Sequence, residues 1–135
     1  MFRLSKKIEY GLIAIRHMAA GAPGQIHTAK EIADRYHISY ELLAKIMQKL
    51  VRKGYIISYQ GVHGGYILSR NPSDLKVSAI INAIEGRDTV TIIQCEAETP
   101  EDCIIHRTCT IKDPLVKLQN SINTMFENLT IMEMV

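Results

Sequence analysis

The stretch Ser39-Tyr-Glu-Leu-Leu-Ala-Lys-Ile-Met-Gln-Lys-Leu-Val-Arg-Lys53, continuing through Gly54-Tyr-Ile-Ile-Ser-Tyr59, Gln60-Gly-Val-His-Gly-Gly65 and Tyr66-Ile-Leu-Ser69, decides the fold. Its first part predicts a helix. Ser39 is a good N-cap, because its hydroxyl can accept from an amide of the first turn. Leu42, Leu43, Ile46, Met47 and Leu50 recur at helical spacing and define an inward face. Tyr40, Glu41, Ala44, Lys45, Gln48, Lys49, Arg52 and Lys53 are left outside, four cations against one anion. Gly54 suits the position just past a helix end. Two β-rich runs then flank a glycine-rich turn, the pattern of a hairpin. A hairpin directly after such a helix is a wing.

Upstream, Thr28-Ala-Lys-Glu31 is a capping box that opens a short helix to about Tyr36. His37-Ile38 is a tight connection into the Ser39 helix. A short and a longer helix so joined make a helix-turn-helix. Before them, Ser5 can cap a helix over about 6–20, with Ile8, Leu12, Ile15 and Met18 on one face. Gly21-Ala-Pro-Gly24 ends it. Four of the histidines, His17, His27, His37 and His63, look dispersed, and His17 reads as a core residue rather than a ligand.

Downstream, Asn71–Asp74 is a turn, and Val77 to Glu85 has an apolar helical face ended by Gly86. Residues 87–110 hold all three cysteines, Cys95, Cys103 and Cys109. A stretch this long with little structure of its own is usually functional or disordered. A last helix starts near Asp113-Pro114. Leu115, Leu118, Ile122, Met125, Leu129 and Met132 step by three and four, an a/d seam. Packing into its own domain is one reading of that stripe; a homodimer interface fits its narrowness better. The fold class expected is mainly α with a small β-hairpin. Residues 1–86 form a winged helix-turn-helix domain, 87–110 a cysteine-bearing loop, and 111–135 a dimerisation helix and tail.

Residues 1–70 hold eleven Lys/Arg against four Asp/Glu, a net +7, while 71–135 hold five against ten, a net −5. A basic half suits a polyanion such as duplex DNA, although a solvated basic surface fits the charge alone equally well. The opening residues lack a signal peptide's apolar run, and no stretch approaches the roughly 18 apolar residues of a membrane span. The expected location is cytoplasmic, where thiols stay reduced, and an odd cysteine count argues against a disulfide framework. Nothing pairs a nucleophile with a base, so no enzyme is expected. Clustered thiols suit iron–sulfur or zinc ligation, or thiol redox chemistry.

The sequence resembles the iron–sulfur winged-helix repressors typified by IscR and NsrR, over nearly the whole chain. The resemblance rests on Met1–Leu12, Ile38–Leu43, Leu50–Ser58, Gly61–Leu68, Ala83–Gly86, the cysteine triplet and the long last helix. It implies a dimeric repressor on a palindromic operator, with the Ser39–Lys53 helix in a major groove and the wing in a minor groove. The DNA-facing candidates are Ser39, Tyr40, Glu41, Lys45, Gln48, Lys49, Arg52, Tyr59 and His63, the last being equally a plain turn residue. The dimer candidates are Leu115, Leu118, Ile122, Met125 and Leu129.

The resemblance also implies a 2Fe–2S or 4Fe–4S cluster on Cys95, Cys103 and Cys109. The chain departs from the family in its first cysteine gap, which is seven residues rather than the family's usual five. Lys112 stands where IscR-like members carry a ligating His. NsrR-like members use a carboxylate of the first helix, and Glu9 matches it, with His106 a weaker candidate. Gln60 replaces the wing's usual Arg, and Ala44 replaces a Glu that IscR carries. The rival readings are a cluster-free thiol/disulfide switch, a winged-helix protein-interaction module, and a zinc site completed by His106.

Overall fold

The computed structural model describes residues 4–86 and 112–135. Among the described residues there are five α-helices and one hairpin: α1 (Lys6–Ala20), α2 (Ala29–Tyr36), α3 (Tyr40–Arg52), β1 (Ile56–Tyr59), β2 (Gly65–Leu68), α4 (Val77–Glu85) and α5 (Lys112–Asn128). Short 3-10 turns lie at Pro72–Asp74 and Ile131–Met134.

Local chemistry sets the boundaries. The Ser5 hydroxyl accepts from the Ile8 amide, Thr28 from Glu31, and Ser39 from Leu42, so each of the first three helices starts at a side-chain cap. Glu31 also reaches back to the Thr28 amide and completes the box. Between α2 and α3, His37 adopts a left-handed conformation with φ 56°, and its amide bonds to the Ala33 carbonyl. That single residue makes the sharp turn, and Ile38 drops into the core behind it.

β1 and β2 pair antiparallel, with Ile56 opposite Leu68 and Tyr59 opposite Gly65. A third piece of backbone extends this ribbon. His27 donates to the Tyr66 carbonyl at 2.9 Å and accepts from the Tyr66 amide at 2.7 Å. The close approach explains Gly65: a Cβ there would fall 2.7 Å from the His27 carbonyl oxygen, and its φ of 156° disfavours any other residue.

The core lies between α1, α3 and α4, with Ile15, Ile32, Leu43, Met47, Leu50, Ile56, Ile80 and Ile84 all fully buried. The chain's last residues join it. Ile131 is fully buried, its amide donates to the Leu75 carbonyl, and the Val77 amide donates to the Leu129 carbonyl. The Arg16 guanidinium bonds the Met134 carbonyl at 2.7 Å. The tail is therefore stitched to α1 and to the start of α4.

The heptad stripe is corrected in two respects. α5 stops at Asn128, so Leu129 and Met132 lie beyond the helix. The stripe also divides between two faces. Leu115, Ile122 and Leu129 are half-buried, and Leu129 packs with Phe126 against the core. Leu118, Met125 and Met132 face solvent, at 48%, 62% and 50% exposure. Alternate steps of a three-four repeat lie about 60° apart on a helix of 3.6 residues per turn, so one stripe straddles both faces.

Candidate functional site

α3 presents the expected amphipathic surface. Leu43, Ile46, Met47 and Leu50 are buried, and Leu42 is half-buried at the margin. Glu41, Lys45, Gln48 and Arg52 form a line of exposed side chains at steps of three and four. Ser39, Tyr40 and Lys53 are exposed as well. The side chains of Lys45, Arg52 and Lys53 have no hydrogen-bond or ion-pair partner among the described residues. Unpaired cations along an exposed helix are available to phosphates without first breaking an internal pair.

Lys49 behaves differently from the sequence expectation. It is half-buried, and its Nζ donates to the Ile84 carbonyl at 3.0 Å. The α4 carbonyls end there, so the ammonium caps the negative end of that helix. Lys49 is thus a clip between α3 and α4. Position on the helix wheel placed it outside, but the neighbouring α4 terminus draws the long side chain across.

The wing stands beside α3. Gln48, Val51, Arg52, Ser58, Gln60 and Tyr66 line a cleft of about 260 Å³ between helix and hairpin. Tyr59 is 46% exposed, Val62 at the tip is 98% exposed, and His63 is exposed. Gly64 is needed in this turn, because a Cβ there would fall 2.3 Å from the Tyr59 carbonyl oxygen. Gln60 bonds Ser58 at 3.5 Å, back along its own strand.

Of the expected metal ligands, Cys95, Cys103 and Cys109 lie outside the described residues, as does His106. Glu9 lies on the first turn of α1, with its side chain 42% exposed. It pairs with Lys6 at 3.0 Å, and this contact raises the Lys6 ammonium above its ordinary value through the hydrogen bond and the charge of Glu9. One turn earlier, the Ser5 hydroxyl bonds Glu85 at 2.5 Å, at the end of α4. The N-terminus of α1 is thus tied to the point from which residues 87–110 follow in the chain.

The structure brings together one group that the sequence reading left scattered. His17 Nε2 is 3.2 Å from Glu31 Oε1, and His27 Nδ1 is 3.1 Å from the same oxygen. The two rings meet edge to face at 5.0 Å. His17 Nδ1 contacts the Tyr36 hydroxyl at 2.9 Å. Burial pushes the Glu31 carboxyl up, but hydrogen bonds from His27 and His17, the Thr28 amide and the His27 charge together hold it below the usual carboxylate range. The one available signal was the i,i+4 spacing of His27 and Glu31; His17 arrives from across the Gly21–Gly24 break.

A helix-turn-helix with an adjacent wing and an unpaired basic helix face defines the class of winged-helix DNA-binding proteins. The comparisons agree. Residues 4–135 match the family model of Rrf2, iron-dependent transcriptional regulators. The chain belongs to the Rrf2 family of DNA-binding transcriptional regulators. Among solved structures it is similar to CymR, the global cysteine regulator of B. subtilis, with TM-score 0.79 and 22% identity, over 99% of this chain and 96% of that one. It is also similar to T. potens IscR, with TM-score 0.76 and 27% identity, over 98% and 85%. The oxidized form of Staphylococcus aureus CymR matches with TM-score 0.72 and 24% identity, over 96% and 93%. Among the described residues no helix is long and apolar enough to cross a membrane.

Proposed function

We propose that this chain is a cytoplasmic, homodimeric transcriptional repressor whose DNA affinity depends on an iron–sulfur cluster, 2Fe–2S or 4Fe–4S, held by Cys95, Cys103, Cys109 and Glu9. One observation carries the reading. Within an Rrf2 chain, every cysteine falls in a fifteen-residue span, Cys95 to Cys109, between α4 and the helix α5. Thiolates are the usual ligands of iron–sulfur clusters, and an oxygen donor can complete such a set. Glu9 suits that task. Among the described residues its side chain is tied only by an exposed ion pair to Lys6, and such pairs are worth little. Its helix turn is also joined through Ser5 to Glu85, next to the cysteine-bearing stretch.

When bound, the cluster supplies a centre reactive toward oxidants, nitric oxide and iron depletion. The protein's residues do the rest. Residues 1–86 read DNA: Lys45 and Arg52 neutralise phosphates, while Ser39, Tyr40, Glu41 and Gln48 face the major groove. Tyr59 and His63 carry the wing toward the minor groove. Residues 87–110 hold the cluster, and 111–135 dimerise through the exposed Leu118 and Met125 with Leu115 and Ile122 along the seam. A two-fold dimer presents two α3 helices to a palindromic operator. Ligation that joins the cysteine stretch to α1 favours one arrangement of the heads, and its loss shifts the population by the differential contact removed.

The test is Glu9→Ala in protein purified without oxygen. The visible spectrum or the lifetime of the cluster is expected to change while the melting curve stays cooperative. An unaltered spectrum and lifetime removes Glu9 from the ligand set. A second reading, a thiol/disulfide switch on the same cysteines, is favoured by the likeness to the oxidized form of CymR. Iron and sulfide content separates the two.

A further inference from the structure

We propose that His17, His27 and Glu31 form a binding site for a divalent cation of the zinc class, separate from the cysteines, at the joint between α1, α2 and the wing. This proposal does not rest on the iron–sulfur reading.

The geometry is that of a site already gathered. One ligand atom from each residue lies within 4.8 Å of the other two. Glu31 Oε1 stands between the two imidazoles, 3.2 Å from His17 Nε2 and 3.1 Å from His27 Nδ1. Two imidazoles and a carboxylate are a donor set for zinc, cobalt or nickel, and leave a fourth position for water. Access exists on one side: the side chain of Glu31 is 44% exposed and that of His17 is 16% exposed. His27 closes the other side, with its side chain only 3% exposed.

His27 Nε2, the ring nitrogen that does not bond Glu31, is buried and has no hydrogen-bond partner among the described residues. The backbone also makes room for it. A Cβ on Gly21 would fall 2.8 Å from His27 Nε2, so the small residue after α1 is what admits the ring.

The protons balance. With both imidazoles in the neutral form and no metal bound, each donates one N–H to Glu31. When the cation binds, each proton moves to the other ring nitrogen and none is released. His17 Nδ1–H then donates to the Tyr36 hydroxyl, an outer contact that fixes the ring and its tautomer. The cation would join the last turns of α1, the first turn of α2 and, through the His27–Tyr66 backbone pair, the wing.

The experiment uses the full-length protein, kept anaerobic and titrated with Co²⁺ and then Zn²⁺. Cobalt on nitrogen and oxygen donors gives weak visible bands. Cobalt on the cysteines is recognised by its intense thiolate charge-transfer absorption. The expected result is one equivalent of the first kind, displaced by Zn²⁺. His17→Asn and Glu31→Gln should each weaken it roughly tenfold or more, since even outer-shell losses cost about 10- to 100-fold. Zn²⁺ should raise the Tm of the unaltered protein and not of His17→Asn. Should a variant fail to fold, imidazole ¹⁵N NMR of the unaltered chain decides: His17 Nε2 and His27 Nδ1 must shift on saturation with Zn²⁺. Absence of nitrogen–oxygen-type cobalt bands, equal affinity in both folded variants, or unmoved imidazole resonances overturns the proposal, and leaves the three residues as a hydrogen-bonded staple.

Discussion

Replacing Lys45 and Lys49 by alanine, one at a time, separates a DNA contact from an internal clip on the same helix. Lys45 is exposed with no side-chain partner among the described residues. Its loss should remove one phosphate contact per subunit. Each neutralised phosphate contributes about 0.9 to the slope of log K against log salt on duplex DNA, so a dimer that loses two contacts should show a slope reduced by about 1.8. The melting temperature should hardly move, because exposed substitutions usually stay within about 0.5 kcal/mol. Lys49 should do the reverse. Its Nζ caps the Ile84 carbonyl at 3.0 Å, at a half-buried position. Losing a charge-assisted bond to an accessible helix terminus should cost about 1 kcal/mol of stability, since water can take its place. The salt slope should change little. Fluorescence anisotropy on a labelled non-specific duplex, over a salt series, gives the slope without knowledge of the operator. Urea melts give the stability. An unchanged slope for Lys45→Ala, or a slope loss in Lys49→Ala instead, would refute this division of roles.

Leu118→Glu together with Met125→Glu should turn a dimer into monomers by analytical ultracentrifugation with the melt retained, because both side chains face solvent in the single chain; an intact dimer would move the interface elsewhere. Glu31→Gln should flatten the acid limb of stability. The folded carboxyl is held below its ordinary value, so its contribution is present above the unfolded value and is lost as pH falls through the folded one. A wild-type and a Glu31→Gln curve that run parallel as pH falls from the ordinary carboxylate value through the folded one would count against that linkage. His37→Val should destabilise by about 1–2 kcal/mol, because φ 56° is strained for a β-branched residue, whereas His37→Asn should be near neutral; equal melts for the two would show that the turn relaxes.

The helices were legible because their ends are written locally. Ser5, Thr28 with Glu31, Ser39 and Gly86 each sit where the caps fall. The wing was legible because glycines at 61, 64 and 65 stand between two β-rich runs, although the first strand starts at Ile56 rather than Tyr55 and the second runs Gly65–Leu68 rather than Tyr66–Ser69. Periodicity tells which face is apolar and not which neighbour covers it. That is why Lys49 looked free, why Ile131 was not expected in the core, and why Leu129 turned out to pack against the core. The His17–His27–Glu31 group was out of reach for a related reason. His17 and His27 lie on either side of the chain reversal at Gly21–Gly24, and the edge pairing of His27 with Tyr66 is what fixes the second ring beside the first.

In the function proposed above, cysteine-held iron controls DNA binding. Full-length protein isolated without oxygen should contain iron and acid-labile sulfide in equal amounts, with visible absorption that Cys103→Ser abolishes. Measured on the same preparation, its affinity for duplex DNA should change when the cluster is removed. Colourless, iron-free protein that binds DNA identically before and after anaerobic reconstitution would contradict the account.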